Sequence, residues 1–164
     1  MKRLVSTLLV TASLLAGMAV QAADDIKLKL TDAKVKGEEG VGADLVGYND
    51  GEEKIFFYAP GSAEWTFKVE NEGEYTLIVK ASCDPAKNEN AKFKLTINGK
   101  TDEKDTTLKN AEAEDLKVTV KLKAGENKLK ITFTNDEYKE NEYDRNMYVH
   151  AMTVKAKEET KKKE

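Results

Sequence analysis

Between Phe133 and Val149 the chain reads Phe-Thr-Asn-Asp-Glu-Tyr-Lys-Glu-Asn-Glu-Tyr-Asp-Arg-Asn-Met-Tyr-Val. Asn135, Asp136, Glu137, Glu140, Asn141, Glu142, Asp144 and Asn146 crowd oxygen donors into this stretch, with Tyr138 and Tyr143 interleaved. Carboxylates at such density repel one another, and a hard divalent cation relieves the repulsion. Ca²⁺ takes about six to eight oxygens from carboxylates, amides, backbone carbonyls and water. No His or Cys cluster lies nearby, which argues against zinc or copper, and the spacing is not that of an EF-hand loop. On the residues alone two readings stand: a calcium loop, or a solvated acidic loop without an ion.

Other chemistries find less support. The chain holds one His, His150, and one Cys, Cys83. A His-dependent triad needs its nucleophile and acid around that single imidazole, and no elbow-type motif is present. Cys83 has no partner for a disulfide and reads as a small buried hydrophobe. Glycosidase chemistry needs two carboxylates flanking a substrate cleft, and a domain this small has little room for one. The protein is expected not to be an enzyme.

The acidic stretch has to be held by strands. Trp65, Phe67 and Val69 alternate with Thr66 and Lys68; Tyr75, Leu77, Val79 and Ala81 with Thr76, Ile78 and Lys80. The same period recurs in Phe93–Ile97, Leu116–Leu122 and Leu129–Phe133. Strands that hide one face and wet the other read this way. Asn71-Glu72-Gly73, Asn98-Gly99 and Ala124-Gly125-Glu126-Asn127 punctuate them as turns. Ile26–Leu30 and Lys54–Tyr58 read as further strands, Gly37–Gly51 as loop with a short strand, and Thr106–Asp115 as room for one helical turn at most. The last strand, Asn146–Lys155, is apolar on both faces, so its orientation stays open. Cys83–Asn90 is a polar loop that either faces the acidic stretch, with Asp84, Asn88 and Asn90 as donors, or is an ordinary connection. The pattern predicts an all-β fold, a jelly-roll-like β-sandwich of two antiparallel sheets. Trp65 is expected in its core.

The ends place the domain. Lys2 and Arg3, the apolar run Leu4–Val20 and the small residues of Val20-Gln21-Ala22 predict a cleaved secretory signal over residues 1–22. Met18 stands where a lipoprotein signal needs Cys, so no lipid anchor is expected. The protein is expected to be secreted or periplasmic. One domain then spans 23–155, and 156–164 is a charged tail expected to be disordered. The chain carries 27 basic and 30 acidic residues, and the signal takes two basic ones with it. A net negative domain is a poor match for nucleic acid or anionic membrane. No second apolar run is long enough to insert in a membrane, and a monomer is expected.

Phe133-Thr134-Asn135-Asp136, an aromatic, and then Asp144-Arg145-Asn146-Met147-Tyr148-Val149 resembles the C-terminal signature of the Ca²⁺-dependent xylan-binding carbohydrate-binding modules, families 36 and 60. Gly73-Glu74-Tyr75, Leu95–Gly99 and Ala124–Phe133 resemble the same families' upstream strands and hairpin. Tyr138 stands where those families often carry Trp, and Met147 where they carry Leu. The resemblance implies non-catalytic binding of a xylan-like or other β-linked polysaccharide. An exposed Ca²⁺ would have its coordination shell completed by sugar hydroxyls. It implies Asp136 and Asp144 as carboxylate ligands and the backbone carbonyl of Tyr138 as another. Asn135, Asn146, Glu142 and Tyr143 fall at the sugar, the two Asn residues alternatively binding the ion or holding the turn through side-chain to backbone bonds. Arg145 is expected to brace the carboxylates. Tyr48 and Tyr58 both remain open as stacking residues. A separate glycoside hydrolase or an envelope complex is the implied partner. The alternative is a secreted or envelope adhesion-type sandwich in which the ion is structural.

Overall fold

The computed structural model describes residues 25–157. The expected signal segment 1–22, and the tail beyond residue 157, lie outside them. In chain order the strands are β1 (Ile26–Leu28), β2 (Lys34–Gly37), β3 (Val46–Asn49), β4 (Lys54–Phe57) and β5 (Gly61–Val69). Next come β6 (Gly73–Asp84), β7 (Lys92–Ile97), β8 (Lys100–Thr101), β9 (Thr106–Thr107) and β10 (Glu114–Leu122). The chain closes with β11 (Gly125–Phe133), β12 (Tyr138–Lys139), β13 (Tyr143–Asp144) and β14 (Asn146–Ala156). A single 3₁₀ turn, Leu30–Asp32, is the helical structure among the described residues.

The strands form two six-stranded antiparallel sheets. One runs β10-β6-β14-β4-β3, with β1 also on β14; the other runs β2-β5-β11-β7-β8, with β9 also on β7. The alternation read from the sequence decides which side faces in. Trp65, Ile55, Phe57, Phe93, Leu95, Leu129, Ile131 and Phe133 are buried between the sheets. Complete burial of such a side chain stabilises by roughly 1.5–3 kcal/mol. Trp65 also donates its indole N–H to the Lys29 carbonyl at 3.0 Å, so the core reading of this residue holds. The span Thr106–Asp115 contains no helical turn; it pairs as β9 and then enters β10.

The ambiguous last strand has a geometric answer. Val149 lies opposite Ala81 and Ala151 opposite Lys80, so His150 is an extra residue that shifts the register. A bulge of this kind reverses the side-chain parity. Met147 and Val149 before it, and Met152 and Val154 after it, all point into the core. The strand continues to Ala156, and Lys157 donates its backbone N–H to Glu74 and pairs with the Glu74 carboxylate at 2.7 Å.

Candidate functional site

The acidic stretch lies where β6 ends and β14 begins. Asp84 and Asn146 are direct register partners there, as are Ser82 and Tyr148. From Phe133 the chain leaves the second sheet, folds back as the small hairpin β12–β13, and enters β14. In that hairpin Tyr138 faces Asp144, and Asn141 at its tip takes φ 61°, a left-handed conformation that Asn tolerates.

Arg145 fixes this arrangement. It is 2 % exposed. Its Nε donates to the Glu89 carbonyl at 3.0 Å, its Nη2 to the Ala86 carbonyl at 2.6 Å, and its Nη1 to the Asn135 carbonyl. Nη2 also lies 3.3 Å from the Glu89 carboxylate, and the Arg145 backbone N–H reaches the Glu137 carbonyl at 2.9 Å. One guanidinium, with its fixed fork of donors, thus ties the 84–91 loop to the 134–145 loop. The sequence expects Arg145 to brace carboxylates; the carboxylate it meets directly is that of Glu89, and most of its donors go to backbone carbonyls.

Asn135 works in the same way. Its Oδ1 accepts the Lys92 N–H at 2.6 Å and its Nδ2 donates to the Asn90 carbonyl at 3.0 Å. Both ends of the carboxamide meet backbone groups, so Asn135 holds the turn. Glu142 pairs with Lys139 at 2.5 Å in the exposed β12–β13 turn. Tyr143 is half-buried, with Lys87 Nζ 4.9 Å from its ring centre. Lys87 in turn reaches Glu137 at 2.5 Å, a second link between the two loops.

Within this frame Asp136, Asp144 and Asn146 come together, and Asp84 joins them. Asn146 Nδ2 donates to Asp144 and to Asp84, each at 3.2 Å. Asp84 also accepts the Tyr148 hydroxyl at 2.6 Å. Two oxygens in the group, Asp136 Oδ1 and Asn146 Oδ1, are buried without a hydrogen-bond partner. Burial pushes the Asp136 carboxyl above its usual range, and the neighbouring Asp144 charge pushes it further; the Glu137 amide and Arg145 oppose the shift. An unpartnered buried oxygen costs on the order of 1–3 kcal/mol. A carboxylate and a carboxamide oxygen left unpartnered in this way are of the type a hard cation such as Ca²⁺ takes. Among the described residues no three carboxylate, imidazole or thiol side chains converge into a ready-made metal cluster. The convergence here is of carboxylate with carboxamide oxygen. The Tyr138 backbone borders it through its pairing with Asp144, while the Tyr138 side chain is 63 % exposed.

Of the two readings of the Cys83–Asn90 loop, the structure brings it against the acidic stretch, with Asp84 the residue that meets Asn146. Its place follows from the β6–β14 register, which no local pattern reveals. Cys83 beside it is buried and free, as a small hydrophobe should be.

A family model for Ca-dependent, xylan-binding carbohydrate-binding modules, family 60, matches residues 76–164. No curated protein matches the chain. Among solved structures, the chain is similar to the CBM36-1 domain of a multidomain xylanase from the hindgut metagenome of Trinervitermes trinervoides. The two share 11 % identity at TM-score 0.61, covering 82 % of this chain and 99 % of that one. It is similar to a family 36 module in complex with calcium and xylotriose (14 % identity, TM-score 0.57, 80 % and 99 % covered). It is also similar to a family 35 module from Clostridium thermocellum (19 % identity, TM-score 0.59, 80 % and 98 % covered). At these identities the likeness establishes the β-sandwich fold.

Proposed function

The chain belongs to the Ca-dependent, xylan-binding carbohydrate-binding modules, and we propose that it binds a xylan-like, β-linked polysaccharide through one Ca²⁺ at the Asp136–Asp144–Asn146 cluster. The observation that carries this is two unpartnered buried oxygens: Asp136 Oδ1, on a carboxyl that feels the Asp144 charge, and Asn146 Oδ1, on a carboxamide whose nitrogen donates to Asp144 and Asp84. When bound, the ion supplies open coordination positions that two neighbouring sugar hydroxyls fill in place of water. Asp136 and Asp144 would hold it by carboxylate, Asn146 by its amide oxygen, and Tyr138 by its backbone carbonyl. Arg145 and Asn135 keep the two loops from spreading when the carboxylates repel one another. Binding is the whole activity; no bond in the glycan is broken.

The similar family 36 module was solved with calcium and xylotriose, and another similar module belongs to a multidomain xylanase. Both support a polysaccharide ligand and a glycoside hydrolase as the working partner. An exported location fits the same chemistry, since extracellular modules work with Ca²⁺ sites of order 10⁻⁴–10⁻³ M. Migration of the protein through a native gel cast with xylan tests the proposal. Retardation should appear with Ca²⁺, vanish with chelator, and be absent in Asp144→Ala at either condition. Thermal stabilisation by Ca²⁺ with no retardation on any β-glycan would instead favour a structural ion in an adhesion-type sandwich.

A further inference from the structure

Strands that are paired on one side only are short here, at two to four residues in β1, β2, β3, β8 and β9. β10 is the exception, with nine. It pairs with β6 from Glu114 to Leu122 without a shift of register, and among the described residues no strand pairs with its other side. Alternate residues of β10 therefore aim their N–H and C=O away from β6, and such an edge is a template for a further strand. A groove of about 540 Å³ opens beside it, lined by Ile97, Val118, Val120 and Leu122 and fringed by Lys100 and Asp102. Leu116, Val120 and Leu122 are buried, whereas Val118, on the same side of the strand, is half-buried.

The side chains of β10 are complementary to a second β10. Two such strands, antiparallel about a two-fold axis, must centre on a residue, because directly opposite residues share one face of the sheet. A centre at Val118 gives the whole strand a partner: Glu114 meets Leu122, Asp115 meets Lys121, Leu116 meets Val120 and Lys117 meets Thr119, each twice. The outer face then carries two Asp–Lys pairs and no like-charge pair. The inner face sets Val118 against Val118, flanked by Leu116 and Val120, beside the two grooves. Charge excludes one step either way. A centre at Lys117 sets that residue against itself, and a centre at Thr119 sets Lys117 against Lys121. Two steps either way leave only 114–118 or 118–122 paired.

We propose that β10 is a self-association edge: a second copy of the chain pairs with it about Val118, and the two sheets become one. Ala81 lies opposite Glu114, so β6 reaches Asp84 just beyond the Glu114 end of β10. Glu114 of one copy meets Leu122 of the other, which puts the two Asp84–Asn146 clusters at opposite ends of the joined sheet. At about 3.4 Å per residue, the two Glu114 positions stand roughly 27 Å apart along the strands. Such a dimer bridges two polysaccharide chains. The bridging rests on the glycan-binding function proposed above; the pairing of β10 does not. A monomer is expected from the sequence, in which no local pattern shows which strand ends a sheet.

Sedimentation velocity of the full chain without glycan, from about 10 µM to about 1 mM, tests the pairing. Thr119 is exposed and its partner on β6 is the uncharged Thr76, so substitution there spares the fold, as an unchanged thermal midpoint would verify. Thr119→Glu sets a carboxylate opposite Lys117 at two points and should tighten the dimer about fivefold; Thr119→Lys sets like charges there and should weaken it by about the same factor. A wild-type chain that stays monomeric across the range overturns the proposal and leaves the edge to a strand of another protein. A dimer that neither variant moves, or that they move in the reverse order, overturns pairing about Val118. With the pairing upheld, soluble xylan in Ca²⁺ should turn turbid with wild type and less so with Thr119→Lys. A clear solution while the dimer and xylan binding both persist overturns the bridge alone.

Discussion

Asp136→Asn should have opposite effects with and without calcium. In the ion-free protein the Asp136 carboxylate is disfavoured by burial and by the Asp144 charge, and Asn relieves both. Asp136 is only partly buried, so after allowance for solvent screening the gain is about 0.5–1 kcal/mol. For a domain of this size that raises Tm by roughly 2–4 °C. The pH dependence has a definite sign. Because the folded pKa lies above the unfolded one, the folded state retains a proton that the unfolded chain has lost. Ion-free stability therefore falls as pH rises from about 3.9 through the folded value, and Asp136→Asn should be flat there. With Ca²⁺ at about 10–100 times Kd, wild type gains about 1.4–2.7 kcal/mol by mass action, and the variant should gain almost nothing. Scanning calorimetry in chelator and in calcium should show the stability order of the two proteins invert. A variant less stable than wild type in chelator, with an equal gain from calcium, refutes Asp136 as a strained carboxylate awaiting a cation.

Asn135→Asp separates a brace from an ion ligand. A ligand would hold Ca²⁺ more tightly as a carboxylate, whereas loss of the bond to the Asn90 carbonyl should lower the urea stability by about 1–3 kcal/mol and weaken Ca²⁺ binding in titration calorimetry. Arg145→Lys should cost about 2–4 kcal/mol in urea unfolding, because one ammonium cannot serve the carbonyls of Ala86, Glu89 and Asn135 together. His150 is held below its usual pKa by burial first, then by Lys54 and Lys80, against Glu52. Its contribution is complete above about pH 6.5 and is lost as pH falls toward the folded value, by under about 1 kcal/mol. His150→Gln should flatten the urea midpoint between about pH 7 and 5.

Local rules carried the fold a long way. The alternation in Gly61–Val69 and Gly125–Phe133 needs only the sequence, because one buried face fixes each strand's parity. The last strand defeated the same rule at His150, where a bulge that no residue type announces reverses the parity. At the site, Asp136, Asp144 and Asn146 were legible because their oxygens crowd one loop. Asp84 could be named only as one of three donors on a loop with two readings, since only the pairing of β6 with β14 brings it opposite Asn146. Asn135 and Arg145 show the remaining limit. A carboxamide and a guanidinium suit ligand binding and loop bracing equally well on paper, and the backbone groups that claim them, Lys92, Asn90, Ala86 and Glu89, become visible only in three dimensions. Between Tyr48 and Tyr58 the choice likewise fell to burial, which turns one toward the core and leaves the other on the outer face.

Glycan and ion are proposed to meet at one place. The most direct measurement is the heat of xylohexaose binding to the full chain in millimolar calcium, repeated after chelator and again after calcium is restored. Binding should disappear with chelator and return with calcium, and Asp136→Ala should show none under any of the three conditions. Xylohexaose binding of equal strength with and without chelator would contradict it.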